Sequence, residues 1–225
     1  MFIGMLLLVN HVFSQRPATG IWMTVNLPVR FSDKWQMHND ASYRSLGNSV
    51  YALQYLYRPG IRYNINASNS TAAGVAFFFT RTSFNKTNPE FGKEFRLWEE
   101  VLLQKNITKR GQWHNRFRIE QRFFKETSIK SAYNAYRFRL RTSFLQKLSD
   151  KWSLQFIEEY MQQLSHNKFQ YDQNRLIISG NCRISSSAQI QAGYLCLIWP
   201  QNQVQHLLSI GFQKNISIHD NSNDN

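Results

Sequence analysis

Apolar and polar residues alternate one by one through most of this chain, in runs of 10 residues and more. From Ile21 to Phe31 the odd positions are Ile21, Met23, Val25, Leu27, Val29 and Phe31, against Trp22, Thr24, Asn26, Pro28 and Arg30. A strand sends successive side chains to opposite faces, so each such run has one apolar and one polar face. The pattern returns at Trp35–Arg44, Tyr51–Ile65, His114–Phe123, Tyr136–Phe144, Arg175–Ile184 and Gln189–Ile198, and more weakly at 72–82, 94–104, 151–162 and 204–214. No segment holds a 3.6-residue stripe as well, so the fold class is all-β. About eleven strands are implied. Many exceed the roughly 5–6 residues usual in soluble proteins and match the roughly 9–11 that a tilted membrane-spanning strand needs. Bacterial single-chain barrels normally have an even count. The expectation is therefore one antiparallel up-and-down transmembrane β-barrel of 10–12 strands, with Ser83 to Glu94 and the C-terminal tail as the doubtful places.

Alternation alone does not say which face is outside. A soluble ligand-binding barrel hides its apolar face, whereas a membrane barrel turns it to lipid. Two features separate them. Each of the 11 Lys falls in or beside a turn, while the polar strand faces use Arg almost alone with a few carboxylates. A crowded polar interior favours the planar guanidinium, which can satisfy several oxygens at once. Tryptophan placement is the second feature. Ser-Asp-Lys-Trp occurs at 32–35 and 149–152, and Trp113 follows the turn Lys109-Arg110-Gly111. Trp35, Trp113 and Trp152 all have apolar-face parity one step beyond a short turn, as an interfacial aromatic girdle would. Both features put the greasy face outside and make the interior Arg-rich.

The first residues agree with export. Phe2 to Val9 is an apolar core too short to span a bilayer, and Val12 and Ser14 suit cleavage before Gln15, although no Lys or Arg precedes the core. The organisation expected is a signal peptide at 1–14, a short segment at 15–19, a barrel at 20–214 and a polar tail at 215–225. Burial of residues 1–14 as a first strand or helix is the alternative. The 17 Phe, 10 Tyr and 6 Trp argue against disorder.

Arg116-x-Arg118-x-Glu120-x-Arg122 and Arg137-x-Arg139-x-Arg141 also carry a resemblance. Together with Trp22, the two Ser-Asp-Lys-Trp turns and Ala192-Gly193-Tyr194, they make the chain similar to the family called domain of unknown function 2490, from about Gly20 to Phe212. The resemblance implies a Bacteroidetes-type or related Gram-negative outer-membrane barrel, and it supplies no catalytic residues. Many outer-membrane barrels end on an aromatic residue, which the polar tail after Phe212 does not.

For chemistry, the expected site is a lumen charge cluster of Arg116, Arg118, Glu120, Arg122, Arg137, Arg139, Arg141, Glu100 and Glu159. Facing arginines need carboxylates or an anion between them. The cluster reads either as an anion-selective constriction or as a plug. His38, Asp40 and Ser42 share one face, but same-face strand neighbours lie about 6.5–7 Å apart, too far for a relay. No histidine or cysteine spacing suits a metal, and no cofactor is expected. Cys182 and Cys196 are out of register for a disulfide. A formal charge of +13 raises nucleic-acid binding, but the arginines alternate with aromatics on strands, and the expected partners are outer-membrane lipid, lipopolysaccharide and the barrel-insertion machinery. The function expected is a narrow anion-biased pore or a plugged structural barrel. A membrane-embedded enzyme acting on lipid or lipopolysaccharide, and a soluble exported barrel holding an apolar ligand, stand as alternatives.

Overall fold

The computed structural model describes residues 18–45, 51–82, 89–128 and 130–218. The expected signal peptide at 1–14 and the end of the tail from His219 lie outside the described residues. Eleven long strands close into one barrel: β1 (Ala18–Asn26), β3 (Trp35–Ser45), β4 (Ala52–Asn64), β5 (Asn69–Arg81), β6 (Phe91–Asn106), β7 (Gly111–Phe124), β8 (Tyr133–Lys147), β9 (Trp152–Ser165), β10 (Lys168–Arg183), β11 (Ala188–Ile198) and β12 (Val204–Lys214). Two further strands, β2 (Val29–Arg30) and β13 (Ile216–Ser217), pair in parallel at one rim. Leu27 and Pro28 separate β1 from β2, because proline has no N–H for the ladder.

Neighbouring strands run antiparallel from β3 round to β12. Strand β1 closes the wall, antiparallel to β3 (Trp22 opposite Arg44) and parallel to β12 (Ala18 opposite Gln205, Asn26 opposite Gln213). The count of eleven read from the segments lies within the expected range, but the even parity taken from bacterial barrels does not hold. An odd meander brings its first and last strands together pointing the same way, so its seam is parallel. The same geometry puts the start of β1 and the end of β12 at opposite rims.

One rim is built from a single turn used five times. Its first residue is apolar (Phe31, Ile65, Ile107, Leu148, Ile184), and its second carries a side-chain oxygen (Ser32, Asn66, Thr108, Ser149, Ser185). Both amides donate to the carbonyl of the fifth residue: Trp35, Asn69, Gly111, Trp152 or Ala188. The side-chain oxygen accepts an amide two or three residues on, for example Ser68 and Asn69 on Asn66 Oδ1 at 2.9 and 2.8 Å, or Ala188 on Ser185 Oγ at 3.0 Å. This is why Ser, Thr and Asn recur there. The fourth residue then accepts an amide from the next hairpin, at 2.8 Å in all five cases: Asn64 to Lys34, Gln104 to Ser68, Lys147 to Arg110, Arg183 to Lys151 and Asn215 to Ser187. The turns are thereby linked into a ring. Connections at the other rim are more varied, from the tight His166-Asn167 turn with φ of 50° and 59° to the 82–90 loop.

Sidedness is as the alternation requires. Phe117, Ile119 and Leu140 are 53%, 50% and 41% exposed on the outer face, while Arg118 and Arg139 are 2% and 6% exposed within. Inside, Trp98 lies over the paired glycines Gly60 and Gly74, where a Cβ would come within 2.4 and 2.7 Å of its ring. Pro59, next to Gly60, has no N–H to offer β5; the Trp98 indole N–H donates to the Val75 carbonyl at 3.0 Å. Substituting Gly60→Ala should cost about 1–3 kcal/mol through overpacking. Gly180→Ala, whose Cβ would meet only a carbonyl at 4.0 Å, should stay within about 0.5 kcal/mol. Denaturant unfolding of the two refolded variants checks the pair.

Candidate functional site

Strands β3 to β10 carry an unusual load of inward charge. Arg44, Arg58, Arg62, Arg96, Arg116, Arg118, Arg122, Arg137, Arg139, Arg141 and Arg175 are buried or half-buried in the lumen with Asp40, Glu94, Glu100, Glu120, Glu159 and Asp172. Register brings like charges together: Arg116 stands opposite Arg141, and Arg118 opposite Arg139. Facing guanidiniums repel, so carboxylates must lie between them. Glu159 takes Arg116 as a charge-assisted hydrogen-bond partner, accepts Arg139 Nη2 at 2.8 and 2.9 Å, and has Arg141 and Arg175 at 3.4 and 3.6 Å. Glu120 accepts Arg96 at 2.8 Å and Arg139 at 2.5 Å; Glu100 accepts Arg118 at 2.5 and 2.9 Å and Arg62 at 3.1 Å. Glu94 binds Arg96 and Arg122 through both oxygens, and Arg122 reaches across to Gln163 Oε1 at 2.5 Å.

Eight of the nine residues expected in the charge cluster meet in one network, and the ninth, Arg137, lies beside it with a partner of its own. Several of its members were not anticipated. Glu94 and Arg96 extend it toward the varied-loop rim with the parity of Glu100. Asp172 binds Arg137 at 2.8 Å, although its even number on β10 would place it outside. A register shift between Tyr171 and Gln173 turns it inward. Asp40 is bonded by Arg58 rather than engaged with Ser42. His38 Nε2 lies 4.0 Å from Asp40 and its ring meets Trp98 edge-on. Among the described residues no hydrogen bond joins His38 or Asp40 to Ser42, and no group of His, Cys, Asp and Glu could hold a metal. Trp35 and Trp152 open β3 and β9, and Trp113 is the third residue of β7; all three lie by the ring of turns, exposed on the outer face. Cys182 is free and stands opposite Ile190; Cys196 is free and opposite Leu176 and His206.

The network fills one side of the lumen only. Beside it runs a cavity of about 610 Å³, lined by residues of β1 and β10 to β12 and also by charged residues of β3 to β8 such as Asp40, Arg58, Glu94 and Arg122. Its lining includes Lys93, Lys125 and Lys130 at the varied-loop rim, and Asn26, Gln189 and Gln213 near the ring of turns. There Gln213 Oε1 faces the amides of Gln189 and Asn26 at 3.4 and 3.5 Å. Near the mouth the cavity wall turns apolar: Trp22, Ile177, Leu195 and Trp199 line it and pack in one cluster with the buried Leu197 and Leu207. At that mouth Ser128 donates its hydroxyl and, at 3.0 Å, its amide to Glu90, and so holds the Glu90 carboxyl below the usual range.

Adjacent glutamates test how much the network carries. Removing the charge of a buried, multiply paired carboxylate leaves its arginines uncompensated, so Glu159→Gln should lower stability by about 3–5 kcal/mol. Glu158 lies on the outer face and, among the described residues, accepts only Asn174 Nδ2 at 3.2 Å; Glu158→Gln should change stability by less than about 1 kcal/mol. Equilibrium unfolding of both variants in the same detergent measures the difference.

The comparisons with known proteins bear on the wall as a whole. No curated protein matches the chain. A family model described as Protein of unknown function (DUF2490) matches residues 19–204, from the second residue of β1 to the first of β12. A match that spans nearly the whole barrel wall, including every Arg and Glu of the lumen network, shows that the chain belongs to the DUF2490 family.

Proposed function

We propose that this chain is an integral outer-membrane β-barrel that offers small anions a narrow path beside a fixed Arg–Glu network. The carrying observation is the pairing of an apolar exterior with a guanidinium-rich cavity that reaches from one rim nearly to the other. An outward apolar face needs acyl chains to cover it. Trp35, Trp113 and Trp152 supply interfacial anchors at the ring of turns, and Lys34, Lys109, Lys147 and Lys151, exposed just beyond them, suit anionic lipid headgroups. Outer-membrane phospholipid and lipopolysaccharide are the proposed surroundings, and the barrel-insertion machinery the proposed route to them.

Inside, the surplus of fixed positive charge favours anions and rejects cations. Glu100, Glu120 and Glu159 hold arginines of β6, β7 and β8 in place, so that side is a rib and not a passage. The path runs along the less charged wall of β1, β11 and β12, and its narrow end is the amide cluster of Asn26, Gln189 and Gln213.

Two measurements test this reading. The protein should stay with outer membranes through an alkaline carbonate wash; release would favour the soluble exported barrel. In planar bilayers it should give small conductance steps with an anion-selective reversal potential, enlarged by Gln213→Ala. A folded protein with no conductance would instead make the network and amide cluster a plug, and the barrel a structural one.

A further inference from the structure

Arg44 is the misfit of the lumen. It is 7% exposed, makes no ion pair among the described residues, and its Nε has no hydrogen-bond partner. A buried charge in that state is costly unless something compensates it. Its guanidinium sits 4.4 Å from the Trp22 ring centre, and Arg175 approaches the same ring at 4.9 Å. Both arginines line the cavity, as does Arg137, whose Nε is likewise unpartnered. The stretches 46–50 and 83–88 contain no Asp or Glu, Glu90 is engaged by Ser128, and Glu126 is exposed.

What would compensate Arg44 is therefore a ligand. We propose that the cavity mouth around Trp22, Arg44 and Arg175 binds a water-soluble organic anion with an oxyanion head and an apolar body. The head fits the guanidiniums, which present planar donor pairs to phosphate and carboxylate oxygens. The body fits the apolar wall of Ile177, Leu195 and Trp199 beside them. About 610 Å³ is ample for a small aromatic or short aliphatic ligand. Because the wall is hydrogen-bonded all the way round, entry is from the rim, from water and not sideways from lipid. The inference deepens the anion path proposed above by naming where on that path an anion would dwell.

Titration calorimetry on the intact protein in nonionic detergent tests it, with phenyl phosphate as the probe and inorganic phosphate and phenol as controls. Phenyl phosphate should bind at least about tenfold more tightly than inorganic phosphate, with no measurable heat from phenol, because head and body each contribute. Arg44→Gln should weaken phenyl phosphate binding by about tenfold or more, as loss of a charged hydrogen-bond donor does. The second variant, Gln54→Glu, places a carboxylate directly across the β3–β4 pair from Arg44. It should abolish binding and at the same time raise the denaturant midpoint, an outcome that a merely damaged fold would not give. Binding of phenyl phosphate by Arg44→Gln and Gln54→Glu as by the unmodified protein would overturn the proposal, as would equal binding of phenol or no binding of phenyl phosphate at millimolar concentration. The titration does not depend on a bilayer, so failure of the conductance test and failure of this site are distinguishable.

Discussion

The lumen must hold more guanidinium than carboxylate, most of it buried, and the structure follows from how that is arranged. Glu94, Glu100, Glu120 and Glu159 are each shared between two or more arginines. Glu159 alone serves arginines from β7, β8 and β10, so four strands are joined through one side chain across the barrel interior. Pairing of this kind is seldom worth more than an apolar core of the same volume, but an outward apolar face leaves little apolar surface for the inside. The charged rib is the interior this sidedness permits, and its shared carboxylates fix the strands of one half of the barrel relative to one another.

The other half is built differently. Leu195, Leu197 and Leu207 face inward beside Trp22 and Trp199, and farther along β11 and β12 the inward residues are small or neutral: Gln191, Ser209, Gly211 and Gln213. The lumen is thus divided lengthwise into a rib and a cavity. The parallel β1–β12 seam lies in the cavity wall, where no ion-pair rib crosses it. Parallel pairing is slightly weaker per residue than antiparallel pairing, and at this seam the backbone ladder does most of the joining. The ring of five linked turns holds the same half together from the rim, since its last link, Asn215 to Ser187, ties the chain beyond β12 to the β10–β11 turn.

Much of this was legible in the residues because period two is a geometric consequence of the strand. The run from Arg116 to Arg122 had to face one way and to meet the run from Arg137 to Arg141 on the next strand, but the register between them is set across the connection 125–132 and was not legible. Eleven strands could be counted; their parity could not, because the even rule comes from other barrels and nothing in this chain enforces it. Asp172 was hidden by a single bulged residue, which inverts the parity rule locally. Arg44 and Arg175 were visible as inward arginines, but their meeting on Trp22 depends on the parallel seam, which puts β1 between β3 and β12. The fivefold turn shows as a repeat only in its two Ser-Asp-Lys-Trp copies. Asn66, Thr108 and Ser185 use the same backbone hydrogen bonds with different side chains.

The central claim is that the apolar face meets lipid while the guanidiniums are enclosed, and a spin label reports on that directly. With Cys182 and Cys196 replaced by alanine, a nitroxide at Ile119→Cys sits in mid-strand on the outer face of β7, next to the enclosed Arg118 and Glu120. In reconstituted bilayers the account predicts frequent collisions with lipid-dissolved oxygen and few with a water-soluble nickel complex. Frequent collision with the nickel complex, or protection from both relaxants, would contradict it.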